Sequence, residues 1–419
     1  MSLHPARGRP LDGIVILDLS QAAAGPICGS YLAAMGAEVI KIERPGYGDM
    51  ARRTPPYATA HGIRAQRTVP EDISSVVLKR NRGKKSITLD LQKPEGLKIF
   101  LDLLPQADVV LENFRPGVST KLGIDYERLI ELKPDLIYCS ITGFGMSGPY
   151  KTWSAFDTII QGMTGVMAAT GQPDGPPTKA GLLVGDTVAP LYAMIGIMAA
   201  LRMRERTGLG EFVEVSMFDC LVSMLWDEPL EYFAANDIRM RSGNRFLRMA
   251  PWNSYPASDG HVVICAGQQD HWIRVCKLIG RPELVEDPRY ASMEARLDHV
   301  AEVDALVEAW TATRTRAEIV ERCQADSIPC GPISELPDLI ADPHLQARGL
   351  LKPLMHPLHG AIPGAHAVDF PVRYGNMPPP DPAPAPMLGQ HTVAILQERL
   401  KLSREQIDKL VALGVIDGE

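Results

Sequence analysis

Through residues 1–150, short strand-like runs alternate with helix-like runs, and this alternation restricts the chain more than any other feature. Residues 14–18 read as a strand. Residues 26–35 read as a helix closed by Gly36, the residue type preferred just past a helix end. Residues 38–42, 86–91, 109–112 and 136–141 are strand-like, and 126–132 is helical. Residues 94–104 form another helix, with Pro94 where a first turn tolerates it. Such alternation predicts a parallel sheet covered on both faces, with ligands bound in the loops beyond the strand ends. Those loops are 21–26 (QAAAGP), 43–49 (ERPGYGD), 112–117 (ENFRPG) and 142–145 (TGFG). None is GxGxxG or a Walker loop, so a nicotinamide, flavin or ATP site has no motif support.

Farther along, the chain turns apolar and Gly-rich after Phe156, and a long helix is expected over 188–205. Residues 212–215 are strand-like. The composition becomes polar and charged over 227–248. A strand at 262–265 with further helices predicts a smaller second domain. The Pro-rich stretch 376–386 reads as a stiff extended linker, and the last helix is expected over 403–413. The expected division is 1–225 for a large α/β domain, 226–345 for a small one, and 346–419 for a linker and a return to the large domain.

Of the 419 residues, 45% are apolar and 22% charged, as in an ordinary globular protein. The net charge of −7 argues against a general nucleic-acid partner. The seven cysteines are scattered without a CxxC, which points away from a disulfide framework and a zinc cage and toward a reducing compartment. The ten histidines form no HExxH or HxH, so a metal site is not expected. No GxSxG occurs, and His271 with Trp272 reads as packing or surface. No secretory h-region is visible, and the best membrane candidate, residues 188–201, is too short to span. The expected compartment is the cytoplasm, with an organelle matrix as the eukaryotic alternative.

Two features carry chemistry. Asp186 is the only charged residue between Lys179 and Arg202. It reads as a helix N-cap followed by Pro190 in the first turn. It also suits a nucleophile held ionised by the helix dipole and directed at an activated acyl group, and the two roles are compatible. The cations Lys79, Arg80, Arg82, Lys84 and Lys85, with Arg44, Arg115 and Lys121, are either a solvated surface or a phosphate pocket assembled at one sheet edge.

These stretches resemble CoA-transferase family III, which includes formyl-CoA:oxalate and carnitine CoA-transferases and α-methylacyl-CoA racemases (the CaiB/BaiF group). The matching segments are LDGIVILDLSQAAAGP (11–26), GAEVIKIERPGYGD (36–49), NRGKKSITLDL (81–91), ENFRPG (112–117), SITGFGMSGPY (140–150), GDTVAPLYAMIGIMAAL (185–201) and PMLGQHT (386–392). The resemblance implies a Rossmann-like parallel-sheet large domain plus a smaller α/β domain, in an interlocked homodimer. It implies that coenzyme A and acyl-CoA are substrates, that no cofactor is bound permanently, and that Asp186 is the covalent nucleophile. Ala22, Ala23, Arg44, Lys84, Asn113, Phe114, Arg115 and Lys121 fall at positions that contact CoA in the family. The backbone N–H groups of the Gly-rich turns would stabilise oxyanions.

Four departures refine the expectation. Ala23 stands where formyl-CoA transferases have Gln, and Thr142 where some members have Lys. Phe156 stands where racemases carry a proton-shuttling His, which disfavours racemisation. The 242–252 segment lacks the glycine run of formyl-CoA transferases. Its GNR and AP elements, with LGQHT near the C-terminus, resemble the succinyl-CoA-dependent dicarboxylate enzymes of the glutarate, hydroxymethylglutarate and mesaconate types. Arg245 or Arg248 is then expected to pair with the distal carboxylate of a dicarboxylic acid, the alternative being structural arginines. The expected function is CoA transfer from an acyl-CoA, succinyl-CoA foremost, to a small dicarboxylic acid. A racemase or isomerase and a non-catalytic CoA-binding subunit of a heteromer are the alternatives.

Overall fold

The computed structural model describes residues 8–375 and 383–418. Six parallel strands form the central sheet: β1 (Val15–Asp18), β2 (Glu38–Glu43), β3 (Lys85–Thr88), β4 (Val109–Glu112), β5 (Ile137–Thr142) and β6 (Glu211–Ser216). Their spatial order is β3-β2-β1-β4-β5-β6, and every neighbouring pair is parallel. This is the Rossmann order. Connections leave β1 and β4 in opposite directions, which opens a crevice beyond their carboxyl ends.

The central strands β4 and β5 are buried on both faces, as expected of a parallel sheet covered by helices. Helix α1 (Ala24–Ala34) follows β1 and ends at Gly36, whose φ of 107° no side chain would favour. Helix α2 (Pro94–Leu103) starts on Pro94 and buries Ile99, Phe100 and Leu103 against Leu17, Ile40, Val110 and Tyr138. Each such side chain contributes roughly 1.5–3 kcal/mol of apolar burial. The C-terminal helices Thr392–Leu400 and Arg404–Ala412 add Ile395, Leu396 and Ile407 to the same core. Ser403 caps the latter by accepting from the Gln406 N–H.

Helix α3 (Val184–Thr207) begins four residues before the expected 188. Its N-cap is Leu183, which makes no side-chain cap bond, so Asp186 is the third helical residue and not the cap, and Pro190 lies inside the helix. By length and composition α3 could cross a membrane, where the shorter run at 188–201 could not. It packs instead on α1, β5, β6 and α4 (Met217–Leu225), and a Cβ at Gly196 would come within 2.6 Å of Val213 Cγ1 on β6. Leu191, Tyr192, Ile195 and Met203 of α3 remain exposed.

The chain divides into two compact units. One comprises the segments up to Gly165, Ala180–Glu228 and His344 onward; the other comprises Val166–Lys179 and Pro229–Pro343. The expected boundaries at 225/226 and 345/346 lie close to these, but 166–179 belongs to the second unit. That unit carries a three-stranded antiparallel sheet of Trp252–Ala257, Gly260–Cys265 and Cys330–Pro332. Trp272, Tyr255, Val303 and Ile319 fill its core, so Trp272 is packing. Residues 376–382 of the Pro-rich stretch lie outside the described residues.

Candidate active site

The loop after β1 is held by buried charge. Lys84 on the approach to β3 is fully buried, and its ammonium donates to Asp18 Oδ2 (2.7 Å), Pro26 O (2.8 Å) and Asn81 Oδ1 (3.0 Å). Burial opposes the Asp18 carboxylate, but Lys84 and Lys41 outweigh it and hold it below the ordinary range. A Cβ at Gly29 would lie 2.8 Å from both Asp18 Oδ2 and Lys84 Nζ, so the absence of a side chain lets α1 close over the pair. Ser20 caps Asp18 through its N–H (2.9 Å) and hydroxyl. Lys41 donates to Ser20 O (2.6 Å) and pairs with Asp49 (3.2 Å).

This network fixes Ala22 in a left-handed conformation (φ 65°). Its N–H donates to Asp49 Oδ1 (2.9 Å), and its carbonyl accepts from Arg80 (2.9 Å). Asn113 clasps the preceding residue from both sides, accepting from the Gln21 N–H (2.7 Å) and donating to its carbonyl (2.8 Å). Glu112 at the end of β4 accepts from the Phe114 N–H (2.6 Å), and burial pushes its carboxyl up to about 7.

Beyond these loops lies a cavity of about 370 Å³. Ala22, Ala23, Asn113, Phe114 and Arg115 line one part, and Gly143, Phe144, Lys151, Trp153 and Phe156 another. Asp186 enters from α3. A second concavity, of about 300 Å³, adjoins through Gln21, Phe114 and Val118 and contains Arg44. A third, of about 560 Å³, continues from it past Leu91, Gln92 and Leu122 and contains Lys121 and Arg128. Together they trace an extended groove along the carboxyl edge of the sheet, wide enough for a long flexible ligand.

Asp186 is half-buried. Burial and the nearby Asp157 carboxylate raise its pKa from 3.8 to about 6, against the pull of Arg80. The cap missing from the local sequence comes from Asp157, whose Oδ1 accepts from Gly185 N (2.7 Å) and Asp186 N (3.2 Å). Gln161 ties this together, donating to Asp157 Oδ2 (2.6 Å) and Leu182 O (3.1 Å) and accepting from Ala180 N (2.9 Å).

The expected site residues thus divide. Ala22, Ala23, Asn113, Phe114, Arg115 and Asp186 meet at one cavity, with Arg44 and Lys121 along the adjoining groove. Lys84 does not reach it, because its ammonium is consumed by three buried acceptors. Arg245 and Arg248 belong to the second unit. Arg245 is paired with Asp304 (2.6 Å), and Arg248 stacks on Phe246 (4.8 Å). Phe156 lines the Asp186 cavity and is 63% exposed.

The sequence pattern of CoA-transferase family III matches residues 11–392. The chain belongs to CoA-transferase family III. It is 37% identical over 407 residues to a succinate–glutarate CoA-transferase of Agrobacterium fabrum, covering 96% of this chain and 99% of that one. It is also 37% identical over 409 residues to a succinyl-CoA–D-citramalate CoA-transferase of Chloroflexus aurantiacus, covering 97% and 98%. A crystal structure of a CaiB/BaiF family protein from Brucella suis aligns with a TM-score of 0.81 at 35% identity, covering 94% of this chain and all of the other. The enzyme is therefore a CoA-transferase.

Several residues of this CoA-transferase escaped sequence reasoning. Asp157 and Gln161 stand 29 and 25 positions before Asp186 and act on it only through the fold. Asp49 and Arg80 act on the main chain of Ala22. Asp49 closes the ERPGYGD segment and Arg80 belongs to the basic run at 79–85, both already singled out, but nothing in either segment marks its bond to Ala22.

Proposed function

We propose that the enzyme transfers CoA from succinyl-CoA to a small dicarboxylic acid, with Asp186 as the covalent nucleophile. The observation that carries this reading is the meeting of Asp186 with the loops after β1 and β4 at one cavity that continues into a long groove with cations along it. The relatives named for glutarate and D-citramalate support the choice of donor and acceptor.

CoA lies along the groove. Arg44, Arg115 and Lys121 receive its adenosine and phosphate groups, and the pantetheine passes Ala22, Ala23 and Phe114. Asn113 contributes by fixing Gln21, its carboxamide being already engaged. The Asp186 carboxylate attacks the thioester carbonyl, the C–S bond breaks, and a mixed anhydride and CoA thiolate form. The thiolate attacks the Asp186 carbonyl, releasing succinate and leaving an aspartyl-CoA thioester. The acceptor carboxylate displaces the thiolate, giving a second anhydride, and the thiolate then attacks the acceptor's acyl carbon. The new acyl-CoA departs and Asp186 is regenerated. No net proton is consumed, and the acyl group stays activated without ATP. Main-chain N–H groups of the Gly143–Phe144 turn serve as oxyanion donors. A pKa near 6 leaves Asp186 ionised at neutral pH yet more basic than an ordinary aspartate. Phe156 offers no proton-transfer group, which disfavours racemisation.

The exposed apolar residues of α3 support a homodimer of the interlocked kind, and the cytoplasm is the proposed compartment. Arg245, neutralised by Asp304, and Arg248 do not enter this reading. The test is Asp186→Asn, which is expected to lower succinyl-CoA:glutarate transfer by roughly 10³-fold or more while CoA binding persists. Wild-type turnover by the variant would overturn it.

A further inference from the structure

The Asp186 cavity has two sides of different construction. One is shared with the neighbouring concavity through Gln21, Phe114 and Val118, and is built by the loops after β1 and β4. The other is built by the segment after β5, which the neighbouring concavity does not touch, and by Met217 after β6. With CoA on the shared side and its thioester carbon at Asp186, the rest of the acyl group lies at the β5–β6 side. Phe144, Trp153 and Phe156 line that side and suit methylene groups. None of the three carries a charge to pair with a second carboxylate, which would also stand near the Asp186 carboxylate.

Lys151 is the cation that this segment adds to the cavity lining. It is exposed, and its side chain has no ion-pair partner among the described residues. The other lining cation, Arg115, comes from the β4 loop, on the shared side. We propose that Lys151 receives the distal carboxylate of both the dicarboxylic acyl group and the dicarboxylic acceptor. This rests on the CoA-transfer reading above. A lysine presents a compact charge on a flexible stem, so it follows a carboxylate displaced by one or two methylenes. Lys151 therefore admits a range of chain lengths rather than a single acid.

The test uses the full chain and label exchange between an acyl-CoA and its own acid. Wild type, Lys151→Met and Lys151→Arg are each assayed with succinyl-CoA and labelled succinate, then with butyryl-CoA and labelled butyrate. The ratio of succinate to butyrate exchange is expected to fall about tenfold or more in K151M, the scale of one hydrogen bond to a charged group, and to recover largely in K151R. An unchanged ratio in K151M overturns the assignment, including the case where both exchanges fall equally. A wild-type enzyme that binds CoA but exchanges neither acid overturns the CoA-transfer reading itself, a result distinct from an unchanged ratio.

Discussion

The loop after β1 and the segment after β5 face one cavity but are held in opposite ways. In the former, the main ties run to charged side chains, most of them buried: Asp18 to Lys84, Lys41 to Asp49, and Ala22 to both Asp49 and the half-buried Arg80. In the latter, Trp153 is 51% exposed and rests on Tyr150 at a ring separation of 4.3 Å, and Lys151 has no ion-pair partner among the described residues. The difference matches the two halves of the substrate. A cofactor portion that never changes is met by a rigid, predefined surface. An acyl portion that differs between donor and acceptor is met by aromatic walls and a flexible cation. A buried ion pair contributes little net stability, but it fixes geometry, because removing one partner strands the other charge.

The contrast can be broken by four substitutions. The largest effect is expected from Lys84→Met, which leaves Asp18 buried without its counter-ion and should cost about 3–5 kcal/mol. The urea midpoint should fall with the slope unchanged, and a midpoint at the wild-type value would remove the claim that the β1 loop is set by buried charge. Next comes Asp157→Asn, which keeps an acceptor for the α3 N–H groups but removes a negative neighbour of Asp186. Ionisation then becomes easier, so the rise of kcat/KM with pH that follows Asp186 ionisation is expected near 6 in the unaltered enzyme and should shift to lower pH in the variant. A profile that does not move would show that Asp157 acts only as a cap.

Trp153→Ala should change stability by less than about 1 kcal/mol, as expected for a half-exposed aromatic pair. A larger loss would mean that the β5 segment is as rigid as the β1 loop. The smallest effect belongs to Ala22→Gly. Relief of the left-handed strain, about 1 kcal/mol, nearly cancels the extra chain entropy of glycine, about 0.5–1 kcal/mol. A clear destabilisation would indicate that the Ala22 methyl group packs against something the clamp needs.

Much of the frame was legible because its signals are local. Gly36 closes α1, Pro94 opens α2 and Ser403 caps the last helix, and each lies within a residue or two of its expected place. The strands were readable from short apolar or alternating runs set between helical segments. The start of α3 was misplaced because its cap, Asp157, arrives from a distant segment, and no local rule connects the two. Lys84 looked like a phosphate ligand because a basic run carries no mark of which member will be buried. Its neighbour Arg82 pairs with Asp369 and Lys85 with Glu38, so that run is largely consumed within the fold. For Arg245 and Arg248 the sequence leaves a substrate cation and a structural arginine both open, because Asp304, which holds Arg245, lies 59 residues away.

The central claim is that the Asp186 carboxylate becomes part of an anhydride. If it does, each turnover passes one oxygen of the acceptor acid into the Asp186 side chain. Enzyme turned over with succinyl-CoA and heavy-oxygen glutarate, then digested and weighed, should carry heavy oxygen in the Asp186 peptide and in no other. Glutaryl-CoA formed at the normal rate with an unlabelled Asp186 peptide would contradict the account.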